Sequence, residues 1–444
     1  MQAQHTIAQH PLRAVLHNEI HARPPEAMST PLAISHVVMG CDAAQREASR
    51  AHVAALLRDH HLPSPSEQAT HVRLDVGPFR LRWELHTEFV SWTFLRPLPD
   101  TPLDQVPQTA LAVVPQDWLA VLPGQCLASL HLWALSDHAD ATSLVRQVLH
   151  EETLIASQVA GGAAEFYTDF AIHADGFSRM LLFVDPASSE DAKAPSVDGL
   201  HMSPRRLGRL VQRLLEIETY RMAALLGLPV AREAAAVLGT AERELAALAD
   251  AIRTATRNDE PRLLDRLTRL AGQVESQYAA THSRFSATAA YFELVDKRIQ
   301  DITERRLVGM QTIREFMDRR LSPARSTCEW VVRRQDALSQ RVSRISNLLR
   351  TRVEIEQQQS SQALLATMNQ RQDLQRKLQS TVEGLSVAAI TYYIVGLVSY
   401  LAKGAQALGW PLSGETTAAL AVPLVGVAVW WSLRKLHRTL VGHG

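Results

Sequence analysis

The sequence predicts an α+β cytoplasmic domain followed by a long α-helical coiled stalk and a carboxy-terminal two-helix transmembrane hairpin. Three observations carry this. Short apolar or alternating runs recur up to Val184, a helical pattern opened repeatedly by proline starts at Ser203, and two runs near the end, Leu385 to Ala402 and Thr416 to Leu433, hold no charged residue. The implied organisation is a domain over 1–185, a linker over 186–203, a stalk over 204–381, a first span over 382–403, an outer loop over 404–415, a second span over 416–433 and a basic tail over 434–444.

In the first part, Ala33 to Met39 is an apolar run suited to a buried strand, and Ala43 to Asp59 repeats Ala48, Val53, Leu56 and Leu57 at helical spacing. Thr70 to Asp75, Phe79 to His86 and Phe89 to Leu95 are rich in β-branched and aromatic residues and read as antiparallel strands, with Gly77-Pro78 as a connection. Pro97 to Pro107 is a loop. Further strands are expected at Ala128 to Leu135, Leu154 to Ala160, Ala164 to His173 and Arg179 to Val184, with Asp175-Gly176 as hairpin chemistry.

Ser203-Pro204 sets a hydroxyl cap before a proline at the first helical position. Helices are predicted over Pro204 to Leu226, Pro229 to Thr256, Pro261 to Leu321 and Pro323 to about Lys403. The third, at about 60 residues, would span roughly 90 Å, so side-by-side pairing as a coiled stalk follows. Val331, Leu338, Val342, Ile345 and Leu349 keep a heptad seam, which Arg352, Glu356, Gln359 and Gln362 then interrupt.

Each charge-free run approaches the ~20 residues that cross a bilayer. Arg371, Arg376 and Lys377 precede the first; Arg434, Lys435 and Arg438 follow the second. Basic flanks lie on the cytoplasmic side, so both termini are expected in the cytoplasm of a bacterial inner-membrane protein, and Met1 to Arg13 holds no cleavable secretory signal. Ser386, Ala389, Tyr393, Gly396, Tyr400 and Lys403 share a stripe, with Ser399 beside it. Small and hydroxylated residues on one face suit close helix packing or a lined pore.

Net charge is zero, yet residues 1–200 carry 12 Lys and Arg against 23 Asp and Glu, and the remainder 34 against 23. This asymmetry suits docking between parts or subunits, or attraction of cations to one end; no nucleic-acid partner is expected. Fifteen of the 18 histidines precede residue 202. His17, Glu19 and His21 could gather two imidazoles and a carboxylate for a metal such as zinc, or tie the amino terminus down. The three cysteines form no C-x-x-C pair and fit a reducing compartment. No phosphate-binding glycine loop, G-x-S-x-G elbow or H-E-x-x-H motif occurs in the amino-terminal half; an enzyme there would rest on the His17, Glu19 and His21 cluster or on His173 and Asp175, and no enzymatic activity is expected.

The stretch His17-Asn18-Glu19-Ile20-His21-Ala22-Arg23-Pro24, together with Leu385 to Gly404, resembles a bacterial family of uncharacterised membrane-anchored proteins. The architecture is also similar to that of the CorA-type metal-ion transporters. That likeness implies five subunits around a pore lined by the first span, with an inorganic ion as cargo. The Gly-Met-Asn motif of those transporters is absent where this chain reads Ser399-Tyr400-Leu401-Ala402-Lys403-Gly404. The expectation is therefore a homo-oligomeric ion transporter or channel, with Tyr393 and Tyr400 as constrictions, Gly396 for close packing and Lys403 selecting charge at the outer mouth. The alternative is a membrane-tethered scaffold or sensor that carries nothing across.

Overall fold

A computed structural model describes residues 9–13, 16–17, 25–66, 69–99, 106–136, 141–184, 202–256, 258–406, 411 and 413–441. The expected linker, apart from Met202 and Ser203, falls outside these residues, as do positions 407–410 and 412 of the outer loop.

In chain order, β1 (Leu32–Gly40), α1 (Ala43–Asp59), β2 (His71–Asp75), β3 (Arg80–Leu85) and β4 (Phe89–Pro97) lead to α2 (Gln116–Ala120) and β5 (Gln125–Ser136). Then come α3 (Ala141–Val148), β6 (Ile155–Val159), β7 (Ala164–Thr168) and β8 (Ser178–Val184). The helical part comprises α4 (Pro204–Leu225), α5 (Gly227–Thr254), α6 (Glu260–Asp301), β9 (Arg305–Arg306), α7 (Ile313–Arg320), α8 (Ser322–Gln406) and α9 (Gly414–Val441).

The strands form one mixed sheet in the order β2-β3-β4-β1-β5-β8-β7-β6-β9. Every pair is antiparallel except β5 with β8, which is parallel. Both faces are covered, which is why central strands read as continuous apolar runs rather than alternating ones. Leu130, Leu132 and Ala134 of β5 join Leu207, Leu210, Val211 and Leu214 of α4 and Phe292, Val295 and Ile299 of α6 in one core. Trp133 and Leu135 turn to the other face, with Val53, Leu56 and Leu57 of α1 and Leu144 and Val145 of α3. Period-2 side-chain alternation thus splits each central strand between two cores.

Local chemistry explains the boundaries. Asp42 and Gln45 form a capping box at α1, with Gln45 N donating to Asp42 Oδ1 at 2.8 Å and Asp42 N to Gln45 Oε1 at 3.0 Å. Gly77, at φ +94°, turns β2 into β3 and donates to Asp75 Oδ1 at 2.9 Å. Ser203 Oγ accepts from Arg206 N at 3.3 Å and Pro204 opens α4.

The unbroken helix expected from Pro261 to Leu321 does not form. α6 ends at Asp301, Arg305–Arg306 pairs with β6, and a second helix starts at Ile313. The break is held by named groups. Glu304 accepts from Ile313 N at 3.0 Å and Arg314 N at 2.9 Å, and receives the Ser157 hydroxyl at 3.1 Å. Thr312 and Glu315 complete a capping box. These contacts satisfy helix-start amides that an uninterrupted helix would have bonded internally.

Residues 1–254 and 265–345 form one compact unit, and 255–264 with 346–444 a second. The segments expected as stalk therefore contribute to the same unit as the sheet as far as Ile345. Of the expected seam, Val331, Leu338, Val342 and Leu349 are buried and Ile345 half-buried, whereas Arg352, Gln359 and Gln362 are exposed.

Candidate functional site

The two charge-free runs lie within α8 and α9, both long and apolar enough by composition to cross a membrane. The stretch over α4 and α5 also meets that measure, but α4 buries its apolar face against the sheet. α9 packs antiparallel on α8. A Cβ at Gly414 would stand 2.9 Å from Lys403 Cγ, and one at Gly426 would stand 3.8 Å from Thr391 Cγ2. The helix face holding Thr391, Val395, Val398, Ser399 and Ala402 is half-buried or buried, at i, i+4, i+7, i+8 and i+11.

That geometry divides the candidate pore residues. Ser399 lies on the half-buried face, whereas Tyr393 is 75% exposed, Tyr400 77% exposed and Lys403 exposed. Gly396 is half-buried, yet an added Cβ there would meet nothing within 4 Å. Leu385, Leu397 and Leu401 are exposed too, so the hairpin presents an apolar surface interrupted by tyrosines. Near the far end, the Arg434 guanidinium sits 4.9 Å from the Trp430 ring and the Lys435 ammonium 5.4 Å from the Trp431 ring. Such indole and cation pairs suit a water–lipid boundary.

Of the amino-terminal metal candidates, His17 is exposed, and Glu19 and His21 lie outside the described residues. His173 and Asp175 do not work together. Asp175 receives Phe177 N at 3.1 Å and Arg179 Nη2 at 3.1 Å. Burial pushes its carboxyl up, and those two donors hold it below the usual carboxylate range. His173 Nε2 instead meets Asp169 Oδ2 at 2.9 Å, and His150 Nδ1 stands 3.1 Å from the same oxygen. Sequence reasoning missed His150 and Asp169. The i, i+4 spacing of Asp169 and His173 was a visible signal; the approach of His150 depends on how β6 and β7 fold back.

A third polar group is buried under α4. Arg82 and Glu84 of β3 form an ion pair at 3.2 Å, and both are almost fully buried. Beside them His36 of β1 is held at a pKa of about 3, by burial first and then by the charges of Arg82 and His86. A buried neutral imidazole and a paired guanidinium avoid isolated charge inside the core.

A family model described as "protein of unknown function (DUF3422)" matches residues 8–440. No curated protein and no solved structure matches the chain, so the CorA-type likeness gains no support from these comparisons.

Proposed function

We propose, from the premise that the chain belongs to the DUF3422 family, that it is a membrane-anchored homo-oligomer whose first span lines a path for an inorganic ion. The observation that carries this reading is the exposed stripe of Tyr393, Tyr400 and Lys403 on a helix whose run from Leu385 to Ala402 holds no charged residue. In hydrocarbon, phenol hydroxyls without partners cost several kcal/mol, about 2–7 each. Copies of the same stripe around a common axis remove that cost, either by bonding to one another or by facing water.

In this reading α8 and α9 cross a bacterial inner membrane with both termini in the cytoplasm, following the basic flanks. The membrane-proximal part of α8 pairs with its copies as a coiled stalk. A pentameric ring of the CorA kind sets Tyr393 and Tyr400 at constrictions. Gly396 lets neighbouring backbones approach, Ser399 adds a hydroxyl beside them, and Lys403 selects charge at the outer mouth without a Gly-Met-Asn motif.

Full-length protein reconstituted in liposomes tests the proposal. Ion flux above that of empty vesicles is expected, and Lys403→Glu should shift the cation-to-anion permeability ratio several-fold. Flux no greater than in empty vesicles overturns it. The open space around Gly396 also suits sealed packing of small residues between helices. An intact oligomer without flux would therefore favour a membrane-tethered scaffold or sensor.

A further inference from the structure

We propose that His150, Asp169 and His173 form a binding site for a divalent transition cation of the Zn²⁺ class. The site lies in the amino-terminal unit, far in sequence from the spans, and is independent of ion conduction.

The fold assembles it from two connections. His150 sits between α3 and the short 3-10 turn Glu151–Thr153, while Asp169 and His173 follow β7. Asp169, whose side chain is buried, is followed by Phe170, whose φ of +50° lies in the left-handed region. That conformation is unfavourable for a bulky side chain and persists only where surroundings hold it. Here the Phe316 ring stacks at 4.9 Å and the Arg221 guanidinium lies 5.2 Å from the Phe170 ring centroid. Thr168 Oγ1 accepts from Phe170 N at 3.2 Å and donates to Arg179 O at 2.8 Å.

The Asp169 carboxylate is fully buried, and its contacts are unevenly distributed. Oδ1 accepts from Ala171 N at 3.0 Å. Oδ2 accepts from His150 N at 3.0 Å, and both imidazole nitrogens crowd the same atom at 2.9 and 3.1 Å. A carboxylate oxygen offers about two lone-pair directions, fewer than the three nitrogens around it. A cation resolves the crowding, because each imidazole then turns a lone pair towards the metal instead of a proton towards the oxygen.

Dimensions and chemistry agree. One ligand atom from each residue lies within 4.8 Å of the others. Zn–N and Zn–O bonds of about 2.0–2.2 Å separate neighbouring ligands in a tetrahedron by roughly 3.3 Å, so the two short separations need widen by only a few tenths of an ångström. The rings are parallel within 8°, with centroids 4.4 Å apart. Two imidazoles and one carboxylate suit Zn²⁺ and its neighbours better than Mg²⁺ or Ca²⁺, which favour all-oxygen shells. His150 is 58% exposed and His173 8%, so the cation enters on the His150 side and keeps a position there for water. Three protein ligands with an open position are the arrangement of reactive rather than closed structural zinc.

The test is Zn²⁺ titration of chelator-treated full-length protein in detergent, by calorimetry, with Co²⁺ absorption as a second readout. The native chain should take one Zn²⁺ per subunit and give tetrahedral Co²⁺ bands. His150→Ala, at an exposed position, should weaken Zn²⁺ binding at least about tenfold and abolish the bands. His173→Gln should do the same if circular dichroism shows it folded, and His282→Ala, at an exposed position on α6, should leave both readouts unchanged. Absence of Zn²⁺ binding in the native chain, or undiminished binding in His150→Ala, overturns the assignment.

Discussion

His36 on β1 and Thr219 on α4 are joined by a 3.0 Å hydrogen bond that ties the sheet to the helix covering it. The Thr219 hydroxyl donates to Leu215 O at 2.9 Å, so its oxygen accepts, and His36 Nε2 carries the proton. Nδ1 then accepts from the Thr93 hydroxyl at 2.8 Å. All three groups are satisfied with the ring neutral.

Acid sensitivity follows. His36 takes a proton below about 6.5 when unfolded but only near 3 when folded. The unfolded state therefore binds more protons across that window, and stability, full above the upper value, falls as pH drops. Each pH unit inside the window removes about 1.4 kcal/mol. Burial likewise holds His131 at about 4, which adds to the loss. Thermal unfolding of the full chain between pH 7 and pH 4 should be less pH-dependent in His36→Gln than in the native protein. An equal slope would remove His36 as a source.

Gly208 should not tolerate a side chain. A Cβ there would lie 1.6 Å from the carbonyl oxygen of Glu26, where the chain crosses α4 and Met28 N donates to Pro204 O at 2.9 Å. Backbone cannot rotate away as a side chain can. Gly208→Ala is expected to destabilise by about 1–3 kcal/mol or more, read as a lower Tm. Gly272→Ala, in α6 with nothing within 4 Å of the added Cβ, should instead gain up to about 1 kcal/mol.

Arg334 joins α8 to Glu242 on α5, with Nε donating to Oε1 at 2.7 Å, and its guanidinium lies 4.8 Å from the Trp330 ring centroid. The guanidinium's hydrogen bonds hold the Glu242 carboxyl below its usual range. This stabilisation is present above the unfolded carboxyl's pKa and is lost as pH falls through the folded one. Arg334→Lys removes the fork and should lower stability by about 1 kcal/mol near neutral pH, since both partners are partly exposed. The two unfolding curves should converge in acid; a constant gap would assign the loss to packing.

The hairpin orientation can be read by thiol labelling. With the three native cysteines replaced, Ser413→Cys should react with an impermeant maleimide added outside intact spheroplasts. Ser380→Cys should react only after lysis. The reverse pattern would invert the topology argued from Arg376, Lys377, Arg434 and Lys435.

The sequence by itself determined what depends on neighbours along the chain. Helix α1 begins where Asp42 and Gln45 cap it, α4 begins where Ser203 precedes Pro204, and the apolar runs in α8 and α9 are visible from the absence of charge. The interruption between α6 and α7 had a local signature, Thr312 three residues before Glu315, but its anchor, Ser157 to Glu304, reaches across 147 positions. Only the tertiary structure decided that β5 and β8 run parallel and that Arg305–Arg306 completes the sheet. It also decided that His150 meets Asp169 and His173, while Asp175 turns to Arg179. Capping and hydropathy act over a few residues, whereas a sheet edge or a three-residue cluster is selected by long-range pairing and burial, whose partners no local spacing specifies.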